Sequence, residues 1–288
     1  MRWRGERESD NVEDQRGMSG GGRLAVGGGI GTILIVVIGL LMGKSPTNIF
    51  SDVMQNNSQS SSYEQTTTAN PADDSTAQMI KVVLASTEDV WSEIFRQAGA
   101  SYQAPKLRMF SGATQTACGQ GQQAMGPFYC PADTKVYIDL SFCDELRTKF
   151  HAPGNFAVAY VIAHEVGHHI QNLMGTSEKV QQLRGRVSEA EYNRYSVALE
   201  LQADFYAGVW AYHAQRMRNI LEPGDLEAAL KAANAIGDDK LQQEAQGYVV
   251  PDAFTHGTSD QRMFWFKKGF QTGDLNQGNT FKALGLAS

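Results

Sequence analysis

Cysteine is scarce in this chain. There are three, too few to build a disulfide-held fold. Charge is scarce as well: charged residues make up 19% of the chain and the net charge is -6. Nothing in that balance points to nucleic acid as a partner. No internal repeat is present, and 288 residues allow one large domain or two small ones. The hydrophobic fraction, 42%, is that of an ordinary globular protein.

Charge is absent altogether from residues 24–43, between Arg23 and Lys44. Twenty helical residues span about 30 Å, the thickness of a bilayer core. This run is expected to be an uncleaved transmembrane anchor, with a cleaved signal peptide as the rival reading. Against a signal, a long mixed-charge segment precedes the run, and Leu41, Met42 and Gly43 make a poor small-x-small cleavage site. Arg2, Arg4, Arg7, Arg16 and Arg23 precede the run, and after Lys44 the next basic residue is Lys81. The positive-inside rule therefore predicts a single-pass protein of the cytoplasmic membrane. Its N-terminus would be in the cytoplasm and the rest periplasmic or extracellular. Gly27 and Gly31 have small-xxx-small spacing, which leaves a homodimer through this helix open.

Residues 1–23 are polar and are expected to be a disordered cytoplasmic tail. Residues 44–76, rich in Ser, Thr, Gln and Asn, are expected to be a flexible tether. One folded domain is expected over residues 77–288. Apolar spacing predicts a helix over 77–98, with a break near Ser86 and Thr87. Short β-type runs follow at 106–110, 127–129 and 135–140, separated by Gly, Pro and Asp. Helical periods return at 156–173, with Gly175 as a stop, then at 189–213, 226–236 and 261–270. The expected fold class is α+β, with a small antiparallel-type sheet packed on a mainly helical domain. Cys118 and Cys130 flank a Gly-rich loop. In an oxidising compartment they suit a disulfide, with Cys143 outside the bridge.

The most specific pattern is His164-Glu165-Val166-Gly167-His168, the His-Glu-x-x-His of zinc-binding helices. Histidines four apart share a helix face, so both rings can reach one metal ion. Glu165 is turned about 100° from His164. That suits it to act on a water rather than as a ligand. A catalytic zinc usually takes three protein ligands and keeps one position for water. The metzincin solution fails, because its Gly and third His positions hold Gln171 and Met174. Glu200 and Asp204 have the same four-residue spacing on a later, apolar helix, where unpaired acids would be costly. Glu200 is the expected third ligand. Asp204 is expected to accept a hydrogen bond from the non-coordinating nitrogen of His164.

With these residues the chain resembles the neutral zinc metallopeptidases of bacteria, a membrane-anchored family related to the gluzincins. The resemblance is carried by residues 7–14, 126–133, 161–169, 200–204 and 255–259. It implies a zincin-like domain and one Zn2+ per chain on His164, His168 and Glu200, with Glu165 as general base. The implied activity is hydrolysis of a peptide or protein substrate. His256, in the polar turn Thr255-His256-Gly257, is the candidate oxyanion donor, and Arg262 is a candidate assistant. Residues 135–140 are the candidate edge strand for an extended peptide. Two other readings stay open: a zinc-containing binding or assembly factor without turnover, and a zinc hydrolase of a non-peptide amide. His169 is expected to pack behind the ligands, and His151 and His213 to be structural or exposed. Phe264, Trp265 and Phe266 are expected to be core.

Overall fold

A computed structural model of the protein describes residues 1–16, 71–152 and 154–286. The expected anchor at 24–43, its Gly27 and Gly31, and most of the expected tether lie outside the described residues. Among the described residues no helix is long and apolar enough to cross a membrane.

The domain is α+β. A four-stranded sheet has the order β1-β2-β6-β5, built from β1 (Val12–Asp14), β2 (Lys106–Phe110), β5 (Phe128–Cys130) and β6 (Lys135–Asp139). Leu107, Met109, Val136 and Ile138 are fully buried beneath it. The expected antiparallel-type sheet is not what forms. β1 runs parallel to β2, and β2 parallel to β6, while only β5 and β6 are antiparallel. The cause is the length of the connection. Parallel neighbours need a crossover of a dozen or more residues, and residues 111–134 supply one between β2 and β6. Within that crossover β3 (Ala113–Thr116) and β4 (Gly119–Gln122) form a separate antiparallel hairpin. Cys118 and Cys130 are bridged, which ties the hairpin to β5.

The N-terminus departs most from expectation. Residues 1–16 are not a disordered tail. β1 pairs in register with β2, Val12 opposite Leu107 and Asp14 opposite Met109. Met1 and Trp3 are buried in the main core. Sequence periodicity could not find this, because three residues are too few to show a period and the partner strand lies far along the chain.

Helix α1 (Pro71–Gln97) begins before the expected domain boundary at residue 77 and is continuous. The break expected near Thr87 does not occur. Thr87 Oγ1 donates to the Leu84 carbonyl at 2.7 Å, a back-bond that a helix tolerates. The helix α2 (Ser141–Thr148) follows β6. Then come the central α3 (Asn155–Leu173), the short α4 (Thr176–Gln181) and the long α5 (Glu189–Arg218). Gly175, with φ 73°, follows the α3 cap as expected. Helices α6 (Asp225–Ala235), α7 (Asp238–Gln246), α8 (Ser259–Thr272) and α9 (Thr280–Ala283) complete the domain. A capping box between Thr258 and Gln261 starts α8, which satisfies backbone donors that would otherwise be orphaned.

Glycines set the helix spacing. A Cβ at Gly167 would lie 2.9 Å from the Ala203 carbonyl oxygen, so α3 and α5 touch backbone to backbone there. Likewise, Cβ atoms at Gly208 and Gly269 would collide with the backbone at Phe266 and Phe205, so α5 and α8 cross at contact distance. These crossings bring His164, Asp204 and Arg262 together. Trp265 and Phe266 are buried as expected, whereas Phe264 is exposed.

Candidate metal centre

Helix α3 is apolar nearly all round and buried along most of its length. A buried helix must justify each polar group that it carries. His164 and His168 do so by facing α5, where Gly167 lets Glu200 come close. His164 Nε2 lies 3.2 Å from Glu200 Oε2, and His168 Nε2 lies 3.4 Å from Glu200 Oε1. The two Nε2 atoms are 3.2 Å apart. A tetrahedral zinc with ligand bonds of about 2.0–2.2 Å holds its ligand atoms about 3.3–3.6 Å apart. The two nitrogens, and each nitrogen with its nearer carboxylate oxygen of Glu200, match that spacing to within a few tenths of an ångström. His164, His168 and Glu200 are also the group of candidate ligands found among the described residues. Its donor set, two imidazoles and a carboxylate, suits zinc.

Each imidazole is oriented from behind. His164 Nδ1 donates to Asp204 Oδ1 at 2.9 Å. His168 Nδ1 donates to Gln171 Oε1 at 2.9 Å, and Gln171 Nε2 in turn donates to the Leu199 carbonyl at 2.7 Å. Both rings thus spend their N–H groups on the protein and leave Nε2 lone pairs for a cation. Gln171, which excluded the metzincin pattern, has its own task as the support of His168. Its signal was the three-residue spacing after His168.

Asp204 is completely buried and takes three donors. Besides His164, Tyr160 OH donates at 2.5 Å, and Arg262 donates through Nε at 2.8 Å and Nη2 at 3.1 Å. Tyr160 was not singled out from the sequence, although it stands four residues before His164 on the same helix face. Arg262 does not line the open side of the site, where an oxyanion would sit. Its guanidinium lies behind Asp204, bonded also to the Ile236 carbonyl.

Burial alone would keep His164 neutral, but the charge and hydrogen bond of Asp204, with help from Glu200, push it up to about 10, so a cation taking Nε2 would displace a proton there. His168 is raised against the same burial by Glu200. Glu200 is held well below its usual value despite burial, because both imidazoles face it. Burial raises Glu165, and the neighbouring imidazoles moderate the rise.

His256 lies in the turn before α8, on the side of Glu200. Its Nδ1 is 3.1 Å from Asp238 Oδ1. The other oxygen of Asp238 accepts from the backbone N–H groups of Thr255, His256 and Gly257 at 2.7, 2.6 and 3.0 Å. Asp238 therefore fixes both the turn and the ring. The His256 side chain is 47% exposed, so burial opposes its charge only weakly, and Asp238 with the field of Glu200 raises its pKa. Asp238 was also missed from sequence. Its one signal was an acid at the first position of a helix, usually read as helix-start chemistry.

His169 turns away from the cluster. Its Nε2 donates to the Gln103 carbonyl at 2.6 Å, and its Nδ1 is 3.0 Å from Tyr129 OH on β5. His213 donates to the Gly273 carbonyl at 3.0 Å. The strand Lys135–Asp139 is not an edge. It lies between β2 and β5, and β5 is the edge that reaches α3 through Tyr129.

Fold and centre together describe an α+β domain with a His-His-Glu cluster that could hold a metal ion. The chain belongs to the family described as "Putative neutral zinc metallopeptidase", whose model matches residues 1–281. It is 51% identical to the uncharacterized protein YpfJ of Escherichia coli (strain K12) over 286 residues, 98% of this chain and 99% of that one. It is 42% identical to the uncharacterized protein Mb2605 of Mycobacterium bovis over 212 residues, 70% of this chain and 69% of that one. No solved structure matches.

Proposed function

We propose that this protein is a zinc-dependent metallopeptidase that hydrolyses peptide bonds. The observation that carries the reading is the cluster of His164 Nε2, His168 Nε2 and the Glu200 carboxylate: the two nitrogens are 3.2 Å apart, and each lies within 3.4 Å of a carboxylate oxygen, a donor set that suits one zinc. Zn2+ held there, one per chain, would supply an acidified water and polarise a carbonyl.

The residues around it divide the remaining work. Glu165, next to His164 on α3 and buried, takes the proton of the attacking water. A carboxylate whose burial raises its pKa is a stronger base than an exposed one. Glu165 then returns the proton to the leaving amine. His256, with Nδ1 against Asp238, presents Nε2 to the developing oxyanion. Its raised pKa favours the donor form there. An extended peptide would add to the sheet at the exposed edge of β5, above α3. The Cys118–Cys130 bridge supports a domain that works outside the cytoplasm.

The test is cleavage of a mixed peptide library by zinc-loaded full-length protein and by Glu165→Gln. The wild type should cleave, and the variant should keep its zinc while losing about 10²–10⁴-fold in rate. Equal rates would remove Glu165 from the mechanism. Zinc binding without cleavage of any peptide by wild type would favour a binding or assembly factor, or a non-peptide amide as substrate.

A further inference from the structure

We infer that residues 1–16 and the domain from residue 71 onward occupy the same side of the membrane. The N-terminal segment is built into the domain at three levels. First, β1 completes the sheet. Leu107 N–H donates to the Asn11 carbonyl at 2.8 Å, and Gln15 N–H donates to the Met109 carbonyl at 2.9 Å, on either side of the paired residues. Second, Met1 and Trp3 are buried in the same core as α1, α3 and α5.

Third, charges on the segment are matched across it. Glu13 accepts from Lys135 Nζ at 2.8 Å and from Arg108 Nη2 at 2.6 Å. Glu88 on α1, itself buried, has its oxygens filled from the segment, by Ser9 Oγ at 2.5 Å, Asn11 Nδ2 at 2.8 Å and Arg7 Nη2 at 2.9 Å. A carboxylate covered in this way needs such donors, and the segment that covers it supplies three.

The two described ends that flank residues 17–70 also meet. Arg16 Nη2 is 3.8 Å from Asp74 Oδ1. A helix that crosses a bilayer core once delivers its ends about 30 Å apart, on opposite faces. An N-terminus left in the cytoplasm could not then reach β2, Glu88 or the core of an exported domain. Two of the five arginines that suggested a cytoplasmic N-terminus have acidic partners in the fold: Arg7 pairs with Glu88 and Asp89, and Arg16 with Asp14. Their presence before the apolar run is therefore accounted for by docking as well as by topology. The family match extending to residue 1 agrees with a segment that belongs to the domain. This inference does not depend on the peptidase reading.

The experiment uses the full chain with Cys143→Ala, so that one added cysteine reports at a time. Asp10→Cys reports the N-terminal segment and Glu244→Cys the domain; both positions are exposed. Each protein is treated with a membrane-impermeant maleimide in intact and in permeabilised cells. The two positions should behave alike, either both labelled in intact cells or both only after permeabilisation. Labelling of one with protection of the other overturns the inference. As a second measurement, Glu13→Lys in the detergent-solubilised full chain should lower Tm by more than about 2 °C, because it sets like charge against Lys135 and Arg108. An unchanged Tm would mean that the segment is not docked.

Discussion

Arg262 donates two hydrogen bonds to Asp204, from Nε at 2.8 Å and from Nη2 at 3.1 Å, and so joins the start of α8 to the middle of α5. The pair explains how a buried carboxylate stays ionised behind a metal ligand. Burial would raise Asp204, but the guanidinium and His164 hold it below its usual value. An ionised Asp204 in turn keeps the His164 proton on Nδ1, so that Nε2 is available for the cation.

Arg262→Met is therefore expected to weaken zinc binding by about 10–100-fold, the usual cost of losing support behind a ligand. It should also destabilise the domain by about 3–5 kcal/mol, because Asp204 is left buried without its counter-charge. Competition with a zinc chelator and urea unfolding measure the two effects. A variant that lost stability with unaltered zinc affinity would confine Arg262 to packing.

His256 and Asp238 should act as one unit. His256→Ala is expected to lower kcat by about 10²–10³-fold, the loss typical of one oxyanion donor, with zinc content unchanged. Asp238→Asn should lower kcat through the same ring, so the double variant should be little worse than His256→Ala alone. Additive losses on the logarithmic scale would show that the two residues work separately.

Much of this site can be read from spacing alone. His164 and His168, and then Glu200 and Asp204, each lie four apart in helical periods, and a helix converts that spacing into a shared face. The supports of the site are harder to find. Gln171 and Tyr160 have helical spacing to the ligands, but their residue types rarely signal metal sites. Asp238 reaches His256 from another element, which no local pattern reports. Gly167 occupies one of the two unspecified positions of the His-Glu-x-x-His pattern, yet it is what admits α5. The sheet was the least legible part. β1 pairs with residues nearly a hundred positions away, and the strand at 135–139, expected at an edge, lies inside the sheet. Parallel pairing depends on a long enough connection, which the strands' own residues do not report.

The docking of β1 should weaken in acid. Burial would raise Glu13, but Lys135 and Arg108 overcome it and hold the carboxyl near 2, against an ordinary 4.5. A carboxyl depressed in the folded state stabilises fully above its unfolded pKa and loses that contribution as pH falls through the folded value. The contribution of Glu13 is thus complete above about pH 4.5 and lost towards about pH 2. Comparing unfolding of wild type and Glu13→Gln across that range should show a gap that closes as pH falls. A gap independent of pH would remove the charge from the argument.

The central claim is that His164, His168 and Glu200 together hold one zinc ion. Zinc K-edge X-ray absorption on the loaded full-length protein tests it most directly, beside the same measurement on Glu200→Ala. The expected first shell is nitrogen and oxygen alone at about 2.0–2.2 Å with the multiple scattering of two imidazoles, and the variant should lose one oxygen donor or the metal. Sulfur at about 2.3 Å, or a spectrum that Glu200→Ala leaves unchanged, would contradict it.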